Sequence, residues 1–142
     1  MRWLLAGLLT ISLTASANDD DLLMLMGTLQ TLTHKLQLSL DADNGPLAGF
    51  YVHELEEVGE AVVAVESYHG HPIGALAGAM LMPQIAAVDA SLEGAEADLT
   101  ATRQAFEQLV VNCNACHAAT GHGFIVIERN DANPYLQSFA PR

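Results

Sequence analysis

Leu22-Leu23-Met24-Leu25-Met26-Gly27-Thr28-Leu29-Gln30-Thr31-Leu32-Thr33-His34-Lys35-Leu36-Gln37-Leu38-Ser39-Leu40 is the stretch on which the fold turns. Leu22, Leu25, Met26, Leu29, Leu32, Leu36 and Leu40 recur at steps of three and four, the spacing that lines up one face of a helix. Asp19 to Asp21 stand at its start, where carboxylates complement the helix dipole, and Asp43-Asn44-Gly45-Pro46 closes it. The pattern predicts a first helix over about 20–42 with one apolar stripe to bury.

Three more segments supply the partners. Over about 47–68, Tyr51, Leu55, Val58, Val62 and Val65 face inward, His53, Glu56, Glu57 and Glu60 face outward, and His69-Gly70-His71-Pro72 breaks the helix. Over about 73–93, Leu76, Met80, Ile85, Val88 and Leu92 are the apolar positions, and Pro83 predicts a kink or a break into two pieces. The last helix, from about Ala95 or Leu99 to Ala119, carries its apolar line through Leu99, Phe106, Leu109, Val110 and Cys113. Four amphipathic helices with short connections predict an all-α chain folded as an antiparallel four-helix bundle. Gly121 and Gly123 end the last helix and lead into an extended tail over 120–142. There, Phe124 to Ile127 form a β-branched run, and Tyr135 and Phe139 are aromatic anchors that would pack across the bundle.

The N-terminus reads as an export signal over 1–17. Met1-Arg2-Trp3 supplies positive charge, Leu4 to Leu13 a short apolar run, and Ala15-Ser16-Ala17 a cleavage site. About 125 residues then remain as one domain, 18–142. Charge or proline interrupts every later apolar stretch, so no membrane span is expected after cleavage. The mature chain is strongly acidic, with Lys35, Arg103, Arg129 and Arg142 against 17 carboxylates. Such a surface repels phosphate backbones and argues against nucleic acid as a partner, while it would steer a basic protein surface toward it.

Cys113-Asn114-Ala115-Cys116-His117 is the C-x-x-C-H of c-type haem attachment. Two cysteines at this spacing can each add to a haem vinyl group, and the adjacent histidine is then held under the iron as an axial ligand. Haem is attached in this way to exported proteins, in agreement with the signal. Three other readings fit less well. A redox-active C-x-x-C belongs at a helix N-terminus beside a βαβ unit. A disulfide across three residues closes almost no loop. A zinc site from Cys113, Cys116, His117 and His122 lacks the usual two separated ligand pairs.

For the opposite face of the iron, Met26 lies on the apolar stripe of the first helix, whereas Met24 is on the wetter face. Met80 and Met82 fall on the third segment, and His34 and His53 on polar or boundary faces. Phe106, Leu109 and Val110 are expected on the face that a porphyrin would touch. Lys35, Arg103 and Arg129 are the candidate partners for its propionates. His53 and Glu57 share a helix face but lack the second histidine of H-E-x-x-H, so a solvated face is the preferred reading. His69 and His71 flank a glycine in a turn and are the remaining candidates for a copper or zinc site.

Two features resemble the cytochrome c-prime superfamily of four-helix-bundle haem proteins and its Met-ligated low-spin relatives. One is the C-x-x-C-H on the last helix. The other is Leu25-Met26-Gly27-Thr28-Leu29-Gln30, similar to the stretch in which those relatives place a distal methionine. The resemblance runs from Asp19 to His117. It implies Cys113 and Cys116 as thioether anchors, His117 as proximal ligand and Met26 as distal ligand of one haem c. It departs at the tail, which continues for 25 residues after His117. The implied function is single-electron transfer between redox partner proteins in the periplasm, not enzymatic catalysis. The alternative is a five-coordinate haem that binds nitric oxide or carbon monoxide. Bundles of this kind also dimerise through exposed helix faces, which leaves a homodimer open.

Overall fold

The computed structural model describes residues 15–94 and 98–142. The export-signal reading of 1–17 therefore falls almost wholly outside the described residues. Within them the regular structure is all helical: α1 Ala15–Asp41, α2 Gly45–Val63, α3 Ile73–Met80, α4 Met82–Leu92 and α5 Thr100–Ala119. The helix starting at Ala15 puts Asp19 to Asp21 in its second turn, not its first. Ala15-Ser16-Ala17, the expected cleavage site, is thus continuous with it.

The first turn of α2 is built by Asn44. Its side-chain oxygen accepts from the Leu47 N–H at 3.2 Å, and Pro46 sits in the first turn, where a missing N–H costs nothing. The same Asn44 amide donates to the Phe139 carbonyl at 2.9 Å, tying the chain end to this cap.

α2 stops at Val63, five residues short of the periodic expectation of 68. The reason is tertiary. The Val65 carbonyl accepts from the Gly74 N–H at 2.8 Å, so the chain turns away to meet the start of α3. Gly74 sits so close that a Cβ there would collide with the Val63 and Val65 carbonyls. Between the two helices, Tyr68 and His71 exchange backbone hydrogen bonds of 2.9 Å around His69 and Gly70, which take φ of 47° and 83°.

The expected kink appears as a break. Pro83 opens α4 and offers no N–H, and the interruption falls at Leu81. Taken as one stretch, Ile73–Leu92 is long and apolar enough to pass a compositional test for a membrane span, contrary to the expectation that none would. Its apolarity is mostly alanine, glycine and methionine, and Leu81 interrupts it.

α5 begins at Thr100 with Leu99 as its N-cap, in agreement with the later of the two expected starts; residues 95–97 lie outside the described residues. Asp98 accepts from the Thr100 N–H at 2.9 Å and from its hydroxyl, and these bonds hold the Asp98 carboxyl below its ordinary range.

α1 packs against α2, α2 against α3 and α4, and α4 against α5, while α1 and α5 touch only sparsely. Leu36, Leu40, Val52, Leu55, Val62, Ile85, Val88, Phe106 and Leu109 form the fully buried centre. The second half of α1 is buried nearly all round, Leu36 through Leu40 without interruption. The tail is what covers its far side. Among the described residues, 122–142 holds no helix or strand, and it runs back along α1. His34 Nε2 donates to the Asn130 carbonyl at 2.8 Å, and Gln37 both accepts from the Asn130 N–H and donates to its carbonyl, each at 3.0 Å. Tyr135 meets His34 Nδ1 at 3.1 Å, and Phe139 is buried beside Tyr51. The aromatic anchors thus pin the tail as their composition predicts.

Candidate functional site

Cys113, Cys116 and His117 occupy positions i, i+3 and i+4 of α5, so the helix presents all three on one face. That face borders a cavity of about 350 Å³, within the range of small-molecule sites. α1 contributes Leu22, Met26 and Leu29, α3 contributes Ile73 and Ala77, and the loop and tail contribute Tyr68, His122 and Ile125. The cavity thus lies where α1 and α5 part. Met26, from α1, lines the same space as the two cysteines and His117.

Of the six residues weighed as a distal ligand, Met26 alone lines this cavity. Met24 is exposed to solvent, and Met82 packs with Ile85 over Gly59. Met80 does not border the cavity. His34 has both ring nitrogens engaged by Tyr135 and Asn130, and His53 is exposed beside Glu57 at 3.6 Å.

His117 is oriented by the tail. Its Nδ1 lies 3.0 Å from the Ile125 carbonyl oxygen. A carbonyl cannot donate, so Nδ1 carries the proton and, in the neutral ring, Nε2 keeps its lone pair. This is the tautomer that a metal-ligating imidazole uses.

The two thiols are neutral in this setting. Burial, with a smaller contribution from neighbouring Cys116, pushes the Cys113 thiol up to about 11, and burial also raises Cys116. They sit at the C-terminal end of α5, where the helix dipole disfavours a thiolate. Reactive C-x-x-C pairs depend on the opposite environment. The cysteines are not paired to each other. Among the described residues no three His, Cys, Asp or Glu side chains converge to hold a metal ion, so the zinc reading of Cys113, Cys116, His117 and His122 gains no support. The same finding leaves His53–Glu57 as a solvated pair and gives His69 and His71 no third ligand. His69 instead faces Asp19 at 3.8 Å.

The other residues singled out in the sequence for contact with haem lie outside the wall of this cavity. Phe106 and Val110 do not line this cavity, and Leu109 is buried in the core. Phe106 is seven residues before Cys113, which at 1.5 Å per residue is about 10 Å along the axis. Phe106 and Val110 instead border a second chamber of about 460 Å³ between α1, α5 and the tail, which shares Gln30, Thr33 and Ile127 with the first. The candidate propionate partners are also engaged elsewhere. Arg103 donates to the Leu40 carbonyl and pairs with Asp43, closing the C-terminus of α1. Arg129 bridges Asp41 and Glu107 at 2.7 and 3.0 Å, and Lys35 lies over the rings of Tyr51 and Tyr135. None of the three lines the Met26 cavity.

No family model, curated protein or solved structure matches the chain. The geometry of the cavity therefore carries the functional argument by itself. Asn114, Gln37 and the Ile125 carbonyl are the contributors that sequence reasoning did not single out.

Proposed function

We propose that this chain is an exported c-type cytochrome with one covalently attached haem, and that it passes single electrons between redox proteins in the periplasm. α3 and α4 then count as one broken helix, and the chain forms an antiparallel four-helix bundle of the cytochrome c-prime kind. The observation that carries the reading is the shared cavity. Both thiols, an imidazole with its Nε2 lone pair free and a thioether from another helix all border one mostly apolar space.

The residues fit the group. Cys113 and Cys116 would anchor it as thioethers, and His117 Nε2 and the Met26 sulfur would hold its iron. Bound there, haem supplies a one-electron couple whose potential a His/Met ligand pair raises. The chain does the rest. The Ile125 carbonyl keeps the His117 proton on Nδ1, and Leu22, Leu29, Ile73 and Ala77 form the apolar wall that limits water. The acidic surface favours a partner with a basic docking face, at a rate that falls as salt rises.

The test is direct. The mature exported protein should carry the mass of one haem and begin after Ala17; an unmodified chain sinks the proposal. Oxidised and reduced spectra should be low-spin and insensitive to carbon monoxide. Met26→Ala should turn them high-spin and open the iron to carbon monoxide. A parent protein that is already high-spin and binds carbon monoxide would transfer the function to gas binding.

A further inference from the structure

The residue between Cys113 and Ala115 has a partner that haem attachment does not require. Asn114 Oδ1 accepts from the Ile127 N–H at 2.7 Å, and Asn114 Nδ2 donates to the Ile127 carbonyl at 3.0 Å. The side-chain amide thus pairs with both polar groups of one tail residue, as a neighbouring strand would. Two residues earlier in the tail, the Ile125 carbonyl meets His117 Nδ1 at 3.0 Å. The tail is held again at Asn130, where Gln37 of α1 makes the same two-bond amide pair, both at 3.0 Å.

We propose that Asn114 is a positioning residue for His117, clamping the tail at Ile127 so that the Ile125 carbonyl fixes the imidazole tautomer with Nε2 free for the iron. The proposal rests on the haem reading above. Three features of the geometry support it. Asn114 and His117 are three residues apart on α5, and Ile127 and Ile125 are two apart on a tail with no regular structure of its own, so register at one contact sets register at the other. The Asn114 bonds are the nearest side-chain anchors to Ile125 on its C-terminal side. Ile125 and Val126 are exposed, so apolar packing does little to hold that carbonyl in place. A carbonyl acceptor raises the basicity of a ligating imidazole and so favours the oxidised iron. Releasing it shifts the couple toward the reduced form.

The experiment compares Asn114→Ala, Asn114→Asp and Gln37→Ala in the full exported protein. Four readouts are taken: the mass, the midpoint potential, the His117 ring-nitrogen signals by NMR, and hydrogen exchange at Ile127 and Asn130. Asn114→Ala should speed exchange at Ile127 at least tenfold and lose the single Nδ1–H signal. It should also move the couple toward reduction by up to about tenfold, which is 59 mV for one electron. Asn114→Asp keeps the acceptor for the Ile127 N–H and loses the donor, so it should lie between parent and alanine. It also serves if the alanine variant folds poorly.

Gln37→Ala should free the Asn130 N–H, whose carbonyl His34 still holds, and leave the potential where it was. An unchanged His117 signal and potential in Asn114→Ala overturns the proposal, and so does an equal shift from Gln37→Ala, which would reduce Asn114 to general tail support. A parent protein without haem mass marks failure of the haem reading instead. In that case the His117 tautomer and Ile127 exchange still decide whether the clamp exists.

Discussion

Gly74→Ala and Gly78→Ala make the same chemical change on the same short helix with opposite expected sign. At Gly74 a methyl would meet the carbonyl oxygens of Val63 and Val65, which are backbone and cannot swing aside. α3 would have to withdraw from the end of α2. Overpacking of this kind costs about 1–3 kcal/mol, and weakening the 2.8 Å Gly74 N–H to Val65 bond adds about 0.5–1.5. Alanine recovers about 1 kcal/mol of helix propensity, which leaves a net loss of about 0.5–3.5. At Gly78 nothing lies within 4 Å of the added methyl, so only the propensity gain of about 0.5–1 kcal/mol remains. For a chain of this size the two variants should differ in Tm by roughly 5–15 °C.

Thermal unfolding of the full chain by circular dichroism orders them. Gly74→Ala should melt below the parent and Gly78→Ala at or above it. If Gly74→Ala melts as high as the parent, the close approach of α3 to the end of α2 is wrong. The placement of Ile73 and Ala77 in the cavity wall would fall with it.

Further outcomes follow from other features. Phe106→Ala should cost about 3–5 kcal/mol in urea unfolding, because the ring is fully buried and its neighbours can collapse only partly. In a haem-free chain made in the cytoplasm, the Cys113 thiol, raised from 9.0 to about 11, keeps a proton that the unfolded state gives up. Stability should therefore be intact below pH 9 and fall as pH rises toward 11, and the loss should vanish once both sulfurs are thioethers. Thr100→Val removes a hydroxyl that donates to Asp98, so the Asp98 carboxyl should move up toward its ordinary value in an NMR titration. A lowered carboxylate stabilises the fold above its unfolded pKa and loses that contribution as pH falls. The variant should accordingly show a shallower acid limb.

What was legible in the chain was local. The leucine stripe of α1, the break near Pro83 and the grouping of Cys113, Cys116 and His117 all depend on helical spacing, which a sequence displays directly. Met26 was legible for the same reason, since its stripe also carries Leu22 and Leu29, and all three border the cavity. The features that escaped depend on contacts distant in sequence. Val65 and Tyr68 follow Val63, so periodicity extends α2 to 68, and the Gly74–Val65 bond explains the earlier end. Gln37 reads as a polar-face residue, yet it is 2% exposed because the tail lies over it. Phe106 and Val110 share the apolar line of Cys113, but both border a different chamber, Phe106 about 10 Å farther along α5.

The tail then explains how a cavity persists between two helices that touch so little. α1 and α5 each pack well on α2 or α4, but between themselves the closing contacts run through residues 125–130. Asn114 and His117 hold the tail to α5, Gln37 and His34 hold it to α1, and Arg129 spans Asp41 of α1 and Glu107 of α5. The Arg129 pairs are partly exposed, and such pairs contribute about 0–1 kcal/mol each. The amide pairs contribute about 0.5–1.5 kcal/mol per hydrogen bond. None of these bonds belongs to the apolar centre built by Leu36, Leu55, Ile85, Val88 and Leu109. Releasing residues 125–130 alone would therefore break a few hydrogen bonds beside the Met26–His117 cavity, while Phe139, farther along the tail, stays in the core beside Tyr51.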